Sequence, residues 1–226
     1  MEQIITPGVF VALEGPDFAG KSELCVKLHE HYGGIKGGIS TRSREPGGTC
    51  IAEKLRDLVK SKDSAFEDEP MHPFTQTCLH IAARHQHVRE VIKPHLAAGK
   101  HVFCDRFTDS TMVYQGIGQG VNPDTIRYMN GIAVEGVTPD LVIILDADAR
   151  ILLCRKDAPE EGRDEFATDR YDGIDFETKD RQREYYLELA KTQPHRYVVI
   201  DATLSREEVL ARAISEVTAL IQRKAQ

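Results

Sequence analysis

Gly15-Pro16-Asp17-Phe18-Ala19-Gly20-Lys21-Ser22 is the stretch with the most chemistry in its spacing. It satisfies G-x-x-x-x-G-K-[ST]. Glycines at the fixed positions let a backbone wrap an anionic polyphosphate, with its N–H groups turned inward. A helix starting near Gly20 adds its positive end. Lys21 would reach the β- and γ-phosphates of ATP, and the Ser22 hydroxyl would ligate Mg²⁺. An ordinary glycine-rich turn would not need this spacing. The context also fits, because the apolar run Val9–Leu13 precedes the motif and the helical pattern Gly20–Tyr32 follows it.

A second constellation is the apolar run His101–Cys104, which ends in Asp105-Arg106. An acid at the carboxyl end of a parallel strand lies on the ligand-binding edge of a sheet, where it can hold Mg²⁺ directly or through water. Arg106 can grip a phosphate with two N–H groups. Alone, the pair would read as a structural salt bridge. Beside a phosphate loop, the metal and phosphate roles prevail.

These residues need a scaffold. Val9–Leu13, Gly38–Arg42, His101–Cys104, Leu141–Leu145 and Tyr197–Ile200 read as buried parallel strands. Helical patterns lie between them at Gly20–Tyr32, Ile51–Lys60, Pro73–Ala97 (bent near Pro94), Asp124–Glu135, Asp148–Lys156, Phe176–Lys191 and Ser205–Lys224. On the second, Ile51, Leu55, Leu58 and Val59 share a face; the last opens with the capping signal Ser205…Glu208. Alternating strands and helices predict an α/β fold with a doubly wound, five-stranded parallel sheet. The length suits one domain, residues 1–226. The charged, apolar-poor segment at about 157–175 is the candidate lid.

Composition narrows the classes. The 226 residues carry a formal net charge of −7, which argues against a nucleic-acid partner but not against a local basic pocket. No apolar run is long enough for a membrane span or signal peptide. Five cysteines without paired spacing read as reduced core thiols of a cytoplasmic protein. Of nine histidines, His80, His85, His87 and His95 crowd one helix without zinc spacing, and His85 and His95 read as solvent-facing.

Five blocks in order resemble bacterial-type thymidylate kinase, a P-loop nucleoside monophosphate kinase family: Phe10–Ser22, Arg44-Glu-Pro-Gly-Gly-Thr49, Ala82-Ala83-Arg84, Asp105–Gly116, and Asp169-Arg170-Tyr171-Asp172 ahead of Tyr186–Ala190. The resemblance implies transfer of a phosphoryl group from ATP, with Mg²⁺, to the small-molecule acceptor dTMP, in a homodimer. It implies that Asp17 meets the sugar 3′-hydroxyl. Glu45 and Pro46 would shape the acceptor pocket. Arg56 and Arg106 would hold the acceptor phosphate, and Arg84 the thymine edge. Ser110, Thr111 and Gln115 would line the base, and Tyr114 would exclude a ribose 2′-hydroxyl. Thr203 would lie beside the adenine.

Two departures matter. Phe18 stands where some members carry an arginine in the phosphate loop, so a catalytic arginine must come from the lid. Arg163 and Arg170 are the candidates, ahead of Arg155, against a merely solvated charged loop. His80 stands where the family usually has Phe stacked on the base. This opens the alternative of a kinase for a pyrimidine with a polar 5-substituent, such as 5-hydroxymethyl-dUMP. A kinase for another acceptor and a nucleotide-dependent switch are further readings. The acceptor blocks oppose the first, and the lack of an N-K-x-D segment opposes the second.

Overall fold

A computed structural model describes residues 8–33, 39–61, 69–157 and 176–226, with the side chains of 156 and 157 excepted. Five parallel strands form one sheet in the order β2-β3-β1-β4-β5: β1 Phe10–Glu14, β2 Ser40–Arg44, β3 His101–Asp105, β4 Leu141–Asp146 and β5 Tyr197–Asp201. The first three helices are α1 Lys21–His31, α2 Cys50–Lys60 and α3 Pro73–His87. Then come α4 Lys93–Ala97, α5 Thr108–Thr111 and α6 Pro123–Val134. The chain closes with α7 Ala149–Asp157, α8 Phe176–Thr192 and α9 Arg206–Lys224. The doubly wound α/β arrangement expected from the sequence is the one observed.

Strand period sorts the core. Val9, Val11 and Leu13 face a buried layer with Leu24 and Leu28 of α1 and Ala213 and Val217 of α9. Phe10 and Ala12 face the opposite layer with Val88, Ile92, Phe107 and Tyr186. Four strands run on to an acid, Glu14, Asp105, Asp146 and Asp201, one residue past the apolar runs. Register sets Leu13 and Arg44 both beside Asp105, which gathers charged groups at the carboxyl edge.

Several expectations need correction. β2 starts at Ser40, two residues later than expected, and Gly38 lies outside the described residues. The long helix widens into a π-helical turn at Val88–Ile92, just ahead of Pro94. Proline has no N–H to bond the carbonyl four residues back, and its ring crowds that carbonyl. The apolar side of α2 is not uniformly covered: Val59 is buried, while Ile51 and Leu58 are exposed. Cys25 and Cys104 are core thiols, but Cys50 and Cys154 are exposed. His85 meets Glu135 at 3.2 Å, and His95 Nδ1 meets the Val91 carbonyl at 2.7 Å, so neither simply faces solvent. No described helix is long and apolar enough to cross a membrane. The candidate lid, about 157–175, lies outside the described residues apart from Asp157, the last residue of α7.

Candidate active site

The phosphate loop leaves β1 at Gly15, where a β-carbon would stand 2.3 Å from the Leu145 carbonyl oxygen of β4. Only glycine allows that approach, at φ 123°. Gly20, in the left-handed conformation, precedes α1 and offers no side-chain acceptor to the helix's first N–H groups. By contrast Thr49, Asn122 and Ser205 cap α2, α6 and α9 with their own oxygens. Gly20, Lys21 and Ser22 all line the cleft described below. Lys21, 5% exposed, donates to the Pro16 carbonyl at 2.6 Å. Burial, and then Arg106, pull its ammonium down to about 8.

Ser22 donates to Asp105 Oδ2 through a short hydrogen bond. Asp105 Oδ1 is buried with no hydrogen-bond partner among the described residues. An orphaned carboxylate oxygen is costly unless something else pairs with it. A hydroxyl and a carboxylate side by side, with one acceptor unsatisfied, form an oxygen donor set that suits Mg²⁺. No group of three or more His, Cys, Asp or Glu side chains suited to a metal occurs among the described residues. The fit is therefore to a cation that takes its other oxygens from phosphate and water.

Arg106 gathers a second set of groups. Its backbone is left-handed at φ 71°, unusual for a non-glycine residue, and its N–H is held by the Leu13 carbonyl at 2.9 Å. The guanidinium donates to the Gly15 carbonyl at 3.3 Å, Ser110 Oγ at 3.0 Å, Tyr114 Oη at 3.0 Å and, through a short contact, Asp17. It also lies 4.9 Å from the centroid of the Tyr114 ring. Tyr114 in turn donates to Asp17 at 2.8 Å. Desolvation would raise the Asp17 carboxyl. Arg106, Lys21 and the Tyr114 hydroxyl outweigh it and hold Asp17 at about 2. Asp17 is thus a permanent anion, with about half its side chain open to the cleft.

Behind Arg106 lies Glu14, fully buried at the end of β1. It accepts from Phe107 N at 2.8 Å, Ser110 Oγ at 2.7 Å and Tyr186 Oη at 3.1 Å. Burial, and then the charge of Asp109, lift its carboxyl to about 7. Arg84 of α3, equally buried, bonds Glu45 at 2.7 Å, Thr111 at 2.9 Å, the Phe107 carbonyl at 2.9 Å and Asn130. Burial would raise the Glu45 carboxyl, but Arg84 and His87 more than offset it and lower it. Arg56 of α2 donates to the Pro46 carbonyl at 2.8 Å. His80 is half-buried one turn before Arg84. Burial, and then Arg84, push its imidazole down to about 3, so the ring is neutral.

One cleft of about 990 Å³ brings these groups together. Its walls include Asp17 to Ser22, Glu45, Pro46, Arg56, His80, Arg84, Asp105, Arg106, Ser110, Thr111, Tyr114 and Gln115. Lining residues include nine Lys or Arg against five Asp or Glu, so the cleft is cationic within an acidic chain. That charge suits two phosphate-bearing ligands held close together. Thr203 is not on its wall; the hydroxyl turns back to Asp201 at 2.6 Å, while Ala202, Leu204 and Arg155 line that end. Arg163 and Arg170 lie outside the described residues. Sequence reasoning missed Glu14, His87, Asn130, Lys27 and Lys60 as parts of the site or its support. For His87 a signal existed: positions 80, 84 and 87 fall on one helical face.

A thymidylate kinase family model matches residues 13–213. Thymidylate kinase of Geotalea uraniireducens is 36% identical over 212 residues, covering 94% of this chain and 97% of that protein. Thymidylate kinase of Nostoc punctiforme is 39% identical over 206 residues, covering 89% and 92%. The crystal structure of thymidylate kinase from Ehrlichia chaffeensis superposes with a TM-score of 0.72 at 31% identity, covering 94% of this chain and 99% of that one.

Proposed function

The chain belongs to the thymidylate kinase family, and we propose how its own residues carry out ATP-dependent phosphorylation of dTMP to dTDP. The N–H groups at the start of α1 and Lys21 cradle the triphosphate of ATP. Ser22 and Asp105 would hold Mg²⁺, which would supply charge neutralisation to the donor phosphates. Arg106 and Arg56 hold the phosphate of dTMP, Arg84 faces the base, and Asp17 accepts from the sugar 3′-hydroxyl. Tyr114, braced against Arg106 and Asp17, occupies the space that a 2′-hydroxyl would need. Glu45, Pro46, Ser110, Thr111 and Gln115 shape the acceptor end around these groups.

A dTMP phosphate oxygen attacks the γ-phosphorus, and the bond to the β–γ bridging oxygen breaks as ADP leaves. The attacking oxygen is already ionised near neutral pH, so alignment and charge neutralisation suffice without a general base. Arg163 or Arg170 from the 157–175 lid completes the neutralisation, because Phe18 supplies no charge. The protein acts in the cytoplasm as a homodimer formed through α2, α3 and α6. Support for that flank comes from Ile51, Leu58, Phe74, Tyr128 and Ile132, large apolar side chains left exposed on these helices.

The observation that carries these roles is the single cationic cleft shared by the phosphate loop and the Arg56–Arg84–Arg106 set. ADP release with ATP and Mg²⁺ should require dTMP, with dTMP preferred over dUMP and 5-hydroxymethyl-dUMP. Preference for 5-hydroxymethyl-dUMP that disappears in His80→Phe would transfer the reading to a modified pyrimidine. Acceptor-independent hydrolysis would remove the assigned acceptor roles altogether.

A further inference from the structure

We infer that His87 is a positioning residue for acceptor recognition, clamping Glu45 so that Arg84 is held in the one orientation that presents an N–H to the base. The inference rests on the proposed role of Arg84. His87 is fully buried at the end of α3, three residues beyond Arg84. Its Nδ1 lies 2.9 Å from Glu45 Oε1, and its Nε2 lies 2.6 Å from Ser43 Oγ on β2. Glu45 is held ionised by its cationic neighbours and can only accept. Nδ1 must therefore carry the proton, and in the neutral ring Nε2 accepts from the Ser43 hydroxyl.

That fixes how Glu45 divides its oxygens. Oε1 takes His87, and Oε2 takes Arg84 Nε at 2.7 Å. Arg84 Nη1 spends both N–H groups on Thr111 and Asn130, and Nη2 spends one on the Phe107 carbonyl. One N–H of five remains, on Nη2, on a residue that lines the cleft. If Glu45 rotated, the guanidinium would lose its Nε anchor and the remaining N–H its aim. The loop carrying Glu45 is also seated on the imidazole: a β-carbon at Gly48 would meet Ser43 Oγ at 2.5 Å and His87 Cδ2 at 2.7 Å. One buried ring thus ties β2, the acceptor loop and α3 together behind the base site.

Two amide substitutions separate this from a merely structural role. In His87→Asn the side-chain NH₂ falls near Nδ1 and keeps the bond to Glu45. In His87→Gln it reaches the Nε2 position, toward Ser43, and abandons Glu45. With full-length protein, His87→Gln should raise KM for dTMP about tenfold, with KM for ATP within about twofold of wild type. His87→Asn should keep both constants within about threefold. Equal effects from the two variants, or a parallel rise in both KM values, would overturn the inference. Nitrogen-15 NMR of the wild-type histidines needs no variant. It should find His87 protonated on Nδ1, and an Nε2–H neutral tautomer would equally overturn the clamp. Arg84→Lys serves as the control: an unchanged KM for dTMP there would remove Arg84 from the acceptor site, a failure of the functional reading and not of the His87–Glu45 bond.

Discussion

Lys21 gives the site a pH dependence that can be worked out in advance. Its ammonium is 5% exposed, bonded to one neutral carbonyl and crowded by Arg106. Its midpoint is therefore about 8 instead of the ordinary 10.5. In the free enzyme Lys21 should be about nine-tenths charged at pH 7 and about one-tenth charged at pH 9. The triphosphate restores the charge on binding, and the displacement from 10.5 is worth about 3 kcal/mol. Since kcat/KM reports the free enzyme and kcat the complex, kcat/KM for ATP should fall about tenfold from pH 7 to pH 9 while kcat stays level. Coupled ADP-release kinetics from pH 6.5 to 9.5 measure both. Calorimetry in buffers of different ionisation heat should also show ATP binding taking up about 0.9 proton at pH 9 and about 0.1 at pH 7. A kcat/KM that is flat to pH 9.5 would refute the depressed lysine. A parallel fall in kcat would mean that the bound phosphates do not sit against it.

Arg106→Lys replaces a fork serving four acceptors with one ammonium, and losing about two charge-assisted bonds should lower kcat/KM for dTMP about 10²- to 10⁴-fold; a change confined to KM for ATP would count against its placement on the acceptor. Asp105→Asn should raise the Mg²⁺ concentration giving half-maximal rate about 10- to 100-fold without lowering the melting temperature, and an unchanged Mg²⁺ titration would remove Asp105 from the metal. Glu14 has a midpoint of about 7 in the folded chain, raised above the ordinary 4.5 by burial and Asp109. Its stabilising contribution is therefore full below pH 4.5 and lost as the pH rises through 7, a loss of about 3 kcal/mol. Glu14→Gln should remove that slope in urea unfolding between pH 4.5 and 8, and identical pH profiles for variant and wild type would refute the shift.

The sheet and the phosphate loop were legible because both are local. A β-branched run bounded by Gly, Pro or Asp reads as a buried strand, and the loop works only if its glycines, lysine and serine keep fixed spacing. The acceptor side is a set of distant contacts: Arg106 stood out at the end of a strand, but Arg56 and Arg84 could be found only through resemblance. Tyr186 reaches Glu14 across 172 residues, and Asn130 reaches Arg84 across 46. No period or propensity encodes either pair. Glu14 was missed because the apolar pattern stops at Leu13, although the strand continues one residue further and the acid is buried by its partners. The local bond of the Thr203 hydroxyl to Asp201, two residues away, was not foreseen, although a short polar side chain often prefers one.

The described cleft shows what its cations do before any ligand arrives. Lys21 rests on the Pro16 carbonyl and Arg56 on the Pro46 carbonyl. Both acceptors are neutral. A phosphate oxygen adds the attraction of opposite charges to the hydrogen bond, so each exchange favours the nucleotide without leaving a cation unsatisfied beforehand. Arg106 differs, because its resting partner Asp17 is an anion held at about 2. In the proposed arrangement a dTMP phosphate shares Arg106 with that carboxylate. The two negative groups can coexist only if Asp17 is engaged elsewhere, and accepting a hydrogen bond from the sugar of the same nucleotide supplies that engagement. A ligand bearing a phosphate but no sugar hydroxyl in reach would meet the repulsion without the compensation. On this argument Asp17 selects for a whole nucleotide by penalising bare phosphate.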